Sequence, residues 1–295
     1  MATTTTNTNT DSLVSTEWLA AHLGDANVRV LDIRGYVRHI EDGAGGMTVS
    51  YEAARGEYDA GHIPGAVYVD WTTDITNPDD PVPVQIAPPE RFAAWASSAG
   101  IGANTHVVIC DHKGHTFATR LWWALRYHGH DRVSLLNGGW AKWAAEGCPT
   151  ETDAPHVPPA IFVARVRPEL RATIAEVAAT LPGRSARLVD ARPAEQYRGD
   201  LERGGRAGHI PGAVSLPATG LLGPDGTWKG DAELAAALDA AGVSDAAPTV
   251  VYCGGGMAAT GVLFAMHRTG RSGANYDGSW NEWGPRTDLP AEKGA

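Results

Sequence analysis

Cysteine is scarce in this chain: Cys110, Cys148 and Cys253 are the only three in 295 residues. They show no CxxC or metal-ligand spacing, and so odd and sparse a set fits a reducing compartment with at most one catalytic thiol. Long apolar runs are also missing. Stretches such as Thr249-Val250-Val251-Tyr252 fall far short of the roughly 20 residues a membrane helix needs. No block of consecutive basic residues occurs, and the net charge is −10. Nucleic acid and an anionic membrane are therefore not expected as partners. The same field repels small anions, so an anionic substrate must be drawn in by local groups. Met1 to Asp11 is a Thr/Asn tract without a basic region or an apolar core, which reads as a disordered tail rather than a signal peptide. With nothing addressing the chain elsewhere, a cytoplasmic setting is expected. What is present is a soluble globular balance, 43% apolar and 20% charged, over a length comfortable for two domains.

The second abundant feature is repetition. Gly61-His62-Ile63-Pro64-Gly65-Ala66-Val67 recurs letter for letter as Gly208-His209-Ile210-Pro211-Gly212-Ala213-Val214. Each copy follows a strand-like run with an acid near its end, Val30-Leu31-Asp32-Ile33-Arg34 or Leu188-Val189-Asp190-Ala191-Arg192. Each precedes a buried-strand candidate, Val107-Val108-Ile109-Cys110 or Val250-Val251-Tyr252-Cys253. A helical stretch comes next, then Asn137-Gly138-Gly139-Trp140 or Asp277-Gly278-Ser279-Trp280. Four landmarks in one order, twice, mark a duplicated domain. Short apolar strands alternating with helical segments such as Leu121–Leu125 and Leu234–Leu238 imply α/β domains, each around a mainly parallel sheet flanked by helices. Between the copies, five prolines from Pro149 to Pro168 read as a linker. The expected organisation is a tail over 1–11, a first domain over 12–150, a linker over 151–167 and a second domain over 168–295.

Ligands of parallel sheets bind at the carboxyl ends of strands, and Cys253 sits at one. The segment from Thr249 to Phe264 reads strand, glycine loop, helix. Gly254, Gly255 and Gly256 carry no β-carbon, so the backbone can wrap tightly and present several N–H groups, while a helix starting near Ala258 adds its positive end. Such a cradle favours a thiolate nucleophile and can hold a sulfur anion afterwards. A cysteine at a strand end is more often a small buried hydrophobe, but the duplication supplies a control. With Arg120-Leu121-Trp122-Trp123 registered on the helix, Asp111 replaces the cysteine in the first copy and Cys110 matches Tyr252. An aspartate cannot act as a sulfur nucleophile, so the first copy is expected to be catalytically silent.

These residues resemble the tandem-domain rhodaneses, the thiosulfate and 3-mercaptopyruvate sulfurtransferases, from about Leu13 to Trp283. The carrying motifs are both GHIPGAV segments, Asp190-Ala191-Arg192-Pro193 leading to Tyr197-Arg198-Gly199, the Arg120/Trp122/Trp123 helix, Leu136 to Trp140, and Cys253-Gly254-Gly255-Gly256. The resemblance implies a silent rhodanese-like domain packed on an active one, with the site near their interface. It implies a ping-pong reaction through a Cys253 persulfide, from a small-molecule sulfur donor to a thiophilic acceptor such as cyanide, a thiol or a thiol protein. Thiosulfate-preferring members place basic side chains directly after the cysteine, where this chain has Gly254 and Gly255. The loop is nearer to the Cys-Gly-Ser/Thr-Gly-Val-Thr of mercaptopyruvate-preferring members, but Gly255 lacks the hydroxyl and Ala258 replaces the threonine. Gln196 stands where that branch offers an arginine to the substrate carboxylate. Besides Cys253, the expected substrate contacts are Gly254, Gly255, Gly256, Met257, Ala258, Gln196, Arg192 and Arg198. Arg203 and Arg206 are further candidates for an anion. The donor expectation leans to mercaptopyruvate.

No cofactor and no metal are expected. His112, His115, His128 and His130 cluster without acidic or cysteine partners at ligand spacing. His62 and His209 occur in both the silent and the active copy, which points to a structural hydrogen bond. Two rival readings use the same cysteine. A rhodanese-fold phosphatase would need an arginine closing the loop to clamp phosphate, and Gly254 to Thr260 supplies none. A non-enzymatic persulfide carrier would receive sulfur from a protein partner and need no donor pocket.

Overall fold

A computed structural model of the chain describes residues 12–41, 47–112, 114–244 and 246–294. The expected tail over 1–11 lies outside them. In the first half, the strands are β1 (Leu13–Val14), β2 (Val28–Asp32), β3 (Gly35–Glu41), β4 (Met47–Ala53), β5 (Val67–Tyr68), β6 (His106–Cys110) and β7 (Val133–Leu136). Its helices are α1 (Thr16–His22), α2 (Arg55–Ala60), α3 (Pro89–Ser98), α4 (Thr116–Tyr127) and α5 (Gly139–Ala145). The second half holds β8 (Arg171–Ala172), β9 (Arg187–Asp190), β10 (Val214–Ser215), β11 (Thr249–Tyr252) and β12 (Ala274–Tyr276). Around them lie α6 (Ile174–Thr180), α7 (Ala194–Arg198), α8 (Asp231–Ala240), α9 (Ala259–Arg268) and α10 (Ser279–Trp283).

The two five-stranded sheets run β1-β7-β6-β2-β5 and β8-β12-β11-β9-β10, the same order read through the duplication. Every pairing within them is parallel. The central strands β6 and β11 are apolar runs covered on both faces, as parallel strands between helix layers must be. Asp32 pairs with Cys110 and Asp190 with Tyr252. That register makes Cys110 the counterpart of Tyr252, and Asp111 the counterpart of Cys253. Among the described residues, the antiparallel hairpin of β3 and β4 has no counterpart in the second half.

One apolar core crosses from half to half. Phe117, Leu121 and Trp122 of α4 pack with Val262, Phe264 and Met266 of α9, and the Trp122 and Phe264 rings meet edge to face at 5.1 Å. Thr260 Oγ1 donates to Thr119 Oγ1 at 3.0 Å where the two helices cross. Around this crossing the halves clasp each other in matched ways. Trp228 N donates to Asn137 Oδ1 at 3.0 Å, and Ile86 N donates to Asp277 Oδ2 at 2.9 Å. The later part of the proline-rich stretch, from Ala160 to Arg167, is hydrogen-bonded to the first half. Ala160 N reaches Ser97 O, Phe162 N reaches Ser97 Oγ, Arg165 N reaches His128 O, and Phe162 is buried.

Candidate active site

Strand β11 ends at Tyr252 and delivers Cys253, 3% exposed, into a cavity of about 140 Å³. From the second domain, Gly254, Gly255, Met257, Ala258, Arg192, Pro193 and Arg203 line it; Val37, Tyr51, Val84 and Thr116 come from the first. The site therefore lies between the domains. Larger surface clefts of 530 and 600 Å³ elsewhere contain no cysteine.

The loop is shaped by holding its carbonyls. Trp280 N donates to Cys253 O at 3.0 Å and Asn281 N to Gly254 O at 2.8 Å. Arg120 Nη1 and Asn275 Nδ2 reach Gly256 O at 3.3 and 3.1 Å. In a trans peptide the C=O and the following N–H point opposite ways. Fixing these three carbonyls therefore turns the N–H groups of Gly254, Gly255 and Met257 to the other side of the loop. None of those three, nor the N–H of Ala258, meets an acceptor among the described residues. The glycine loop does not spend all its donors this way. Ser279 Oγ accepts from Cys253 N at 3.1 Å and from Gly256 N at 3.0 Å, and donates to Tyr276 O at 2.7 Å. Ser279 adopts φ +52°, matching Gly139 at +58° in the first copy. The first copy shows what the cradle accommodates. Asp111 Oδ2 accepts from Phe117 N and Ala118 N, both at 3.1 Å, so a carboxylate oxygen occupies the first turn of α4.

Glycine is required in the loop for space as well as conformation. A β-carbon on Gly256, at φ +73°, would fall 2.6 Å from Asp277 O. One on Gly255 would fall 2.8 Å from Asn281 Nδ2 and 3.1 Å from Val84 Cγ2, so a serine or threonine there requires the Asn281 amide to move. Hydroxyls enter the wall from the first domain instead, on Tyr51 and Thr116. Tyr51 is held by Asn281 Nδ2, which donates to its oxygen at 3.1 Å.

The structure separates the arginines. Arg203 lies flat against Gly254, where a β-carbon would sit 2.3 Å from its Cζ, and no carboxylate of the described residues pairs with it. Trp280 Nε1 pins its segment by donating to Arg203 O at 3.0 Å. Arg192 touches the cavity but is committed elsewhere. Its Nε donates to both oxygens of Asp190 at 3.0 Å, its Nη2 reaches Asp190 Oδ2 at 2.6 Å and Gly208 O at 2.7 Å, and it stacks on Trp280. Arg34 repeats that arrangement in the first copy, with Asp32, Gly61 O and Trp140. A feature present in both copies belongs to the scaffold. Arg198 is away from the cavity, half-exposed and paired with Asp200 at 2.7 Å. Gln196 is buried within α7 and does not line the cavity, because that helix leaves it after Pro193. Arg206 donates to Arg286 O and Leu289 O. His62 and His209 stack on Tyr58 and Tyr197, and each has Nδ1 2.8 Å from that tyrosine's carbonyl oxygen, a matched structural pair.

No helix among the described residues is long and apolar enough to cross a membrane. The rhodanese-like domain model matches residues 15–146 and again 173–285. The chain is 34% identical to the 3-mercaptopyruvate sulfurtransferase of Escherichia coli (strain K12), over 96% of this chain and 99% of that protein. It is 35% identical to the sulfur carrier protein TtuD of Thermus thermophilus over 96% of both, and 34% identical to the thiosulfate sulfurtransferase of Bos taurus over 92% and 91%. The crystal structure of SseA from Escherichia coli, a 3-mercaptopyruvate sulfurtransferase, superposes with a TM-score of 0.77 at 32% identity, covering 91% of this chain and 98% of that one. Two matched domains, two sheets of one topology and these relatives agree: the chain belongs to the rhodanese family of sulfurtransferases, as a tandem-domain member.

Proposed function

We propose that this enzyme carries sulfur as a persulfide on Cys253 and takes it from a thiol-bearing 2-oxo carboxylate, 3-mercaptopyruvate, in preference to thiosulfate. The Cys253 thiolate attacks the donor's sulfur, the carbon–sulfur bond breaks, and the thiol proton ends on the carbon of the departing enolate, giving pyruvate. The persulfide then passes its outer sulfur to cyanide, a small thiol or a protein thiol. The unpartnered N–H groups of Gly254, Gly255 and Met257 suit a sulfur anion.

The observation that carries the donor reading is the charge of the cavity wall. Arg203 is its one cation without a carboxylate partner among the described residues, and the walls beside it are Val37, Val84 and Met257. One carboxylate matches one guanidinium, whereas the thiosulfate dianion brings a second charge into an apolar pocket. A protein acceptor finds support in the sulfur-carrier relative at 35% identity. A cytoplasmic setting fits the three unpaired cysteines. Specificity constants for the two donors test the reading, and a value about tenfold higher for thiosulfate overturns it. Mass spectrometry of protein incubated with mercaptopyruvate alone is expected to show the gain of one sulfur, absent in Cys253→Ser.

A further inference from the structure

We propose that Arg120, a residue of the silent domain, positions the Cys253 loop for sulfur transfer. The inference rests on the reading that Cys253 carries the sulfur. Arg120 is buried on α4 and braced over the Trp123 ring at 4.7 Å. Its fork reaches three places at once, two of them across the domain boundary and one, Val84, in its own domain. Nη1 meets Asp277 Oδ1 at 2.5 Å and Gly256 O at 3.3 Å, and Nη2 donates to Val84 O at 2.9 Å. Gly256 O is the carbonyl whose orientation turns the Met257 N–H away from Arg120. Val84 is the cavity wall facing Gly255, held at φ +60°, an uncommon conformation for a β-branched residue. Asp277 precedes the turn that places Ser279 under Cys253 N and Gly256 N. One guanidinium thus ties the loop, the wall and the supporting turn together.

The duplication again provides the control. Thr119 and Thr260 face each other at the helix crossing, and the residues after them are Arg120 and Gly261. Asn137 answers to Asp277, and it docks Trp228 N as Asp277 docks Ile86 N. A neutral bond therefore suffices to clasp the halves. A fully desolvated ion pair is no better than neutral packing for stability alone, yet of the two matched clasps between the domains only the one beside the cysteine, Asp277 with Arg120, carries such a pair.

The test is turnover and persulfide lifetime in the full-length chain, with mercaptopyruvate and cyanide as substrates. Arg120→Lys keeps a cation for Asp277 but cannot span Gly256 O and Val84 O together. Its kcat is expected to fall about tenfold or more, with faster decay of the loaded persulfide. Asn137→Ala, which removes the neutral clasp, is expected to stay within about twofold of wild type. Wild-type behaviour in Arg120→Lys, which a purely structural ion pair permits, sinks the proposal, as does an equal loss in Asn137→Ala. Should Arg120→Lys fail to fold, Asp277→Asn takes its place: it retains an acceptor for Ile86 and removes the anion that seats the fork. The same losses are expected there, and wild-type values overturn the proposal. Transfer surviving in Cys253→Ser would instead defeat the reading of Cys253 itself.

Discussion

Ser279 sets its hydroxyl oxygen 3.1 Å from the backbone nitrogen of Cys253, across 26 positions of chain, from a backbone at φ +52°. A left-handed conformation costs a non-glycine residue roughly 1–2 kcal/mol, and the first copy adopts the same conformation without that cost at Gly139. Strain kept beside Cys253 and relieved at the matching position motivates a test of Ser279. Ser279→Ala keeps the strain and removes the bonds, so kcat is expected to drop about tenfold or more. Ser279→Gly is expected to lose as much activity but to be about 1 kcal/mol more stable than Ser279→Ala. Denaturant melts alongside initial rates decide this; equal stability of the two variants would contradict it.

With the proposed donor, Arg203 is the guanidinium that meets the carboxylate. Arg203→Met is expected to lower kcat/KM for mercaptopyruvate by about tenfold or more, the scale of one charged hydrogen bond. The second half-reaction, from persulfide to cyanide, stays near wild type because cyanide has no carboxylate. Gly254→Ala pushes a methyl into the guanidinium and should reproduce the effect in milder form. Single-turnover measurements of the two halves separate these outcomes, and a loss confined to the cyanide step would remove Arg203 from the donor site.

Arg34 and Arg192 are expected to behave as twins. Each forks onto an aspartate two residues away and onto a carbonyl across a turn, in full burial. Replacing either by methionine leaves a buried carboxylate unpaired and costs about 3–5 kcal/mol. Calorimetry of the two variants should show similar losses. Arg192→Met with intact stability and a large rise in donor KM would return Arg192 to the list of substrate contacts.

Acid should weaken the fold before it touches most carboxylates. Burial pushes the imidazoles of His128 and His267 down to about 4, and the Arg126 guanidinium adds to the effect at His267. An unfolded histidine titrates near 6.5. As pH falls from about 6.5 to 4 the unfolded chain gains these protons while the folded one does not, so stability drops through that window, by about 3 kcal/mol per histidine once below it. Urea midpoints across that range should fall, and His128→Phe should flatten part of the slope. A midpoint that rises on acidification is incompatible with this account.

Much of this architecture could be read from letters because duplication makes a sequence its own reference. Register, the match of Asp111 to Cys253 and the scaffold role of His62 and His209 all follow from comparing copies. The arginines were harder. That Arg192 and Arg198 each have an aspartate two positions away was a readable sign of self-pairing, whereas nothing local marks Arg203 as unpaired. Ser279 was visible only as one letter's difference between GGW and GSW; its meaning lies in a backbone angle and a reach of 26 residues. Tyr51 and Val84 carried no signal, since their partners, Asn281 and Arg120, lie on other elements. The proline-rich stretch reads as a linker, and its bonds to Ser97 and His128 depend on partners no local pattern reveals.

The apolar core that runs unbroken from Phe117 to Phe264 has a consequence. Excising the first half would expose that apolar surface on the second to water. Neither half is therefore expected to stand alone, and the two are bound to be kept together.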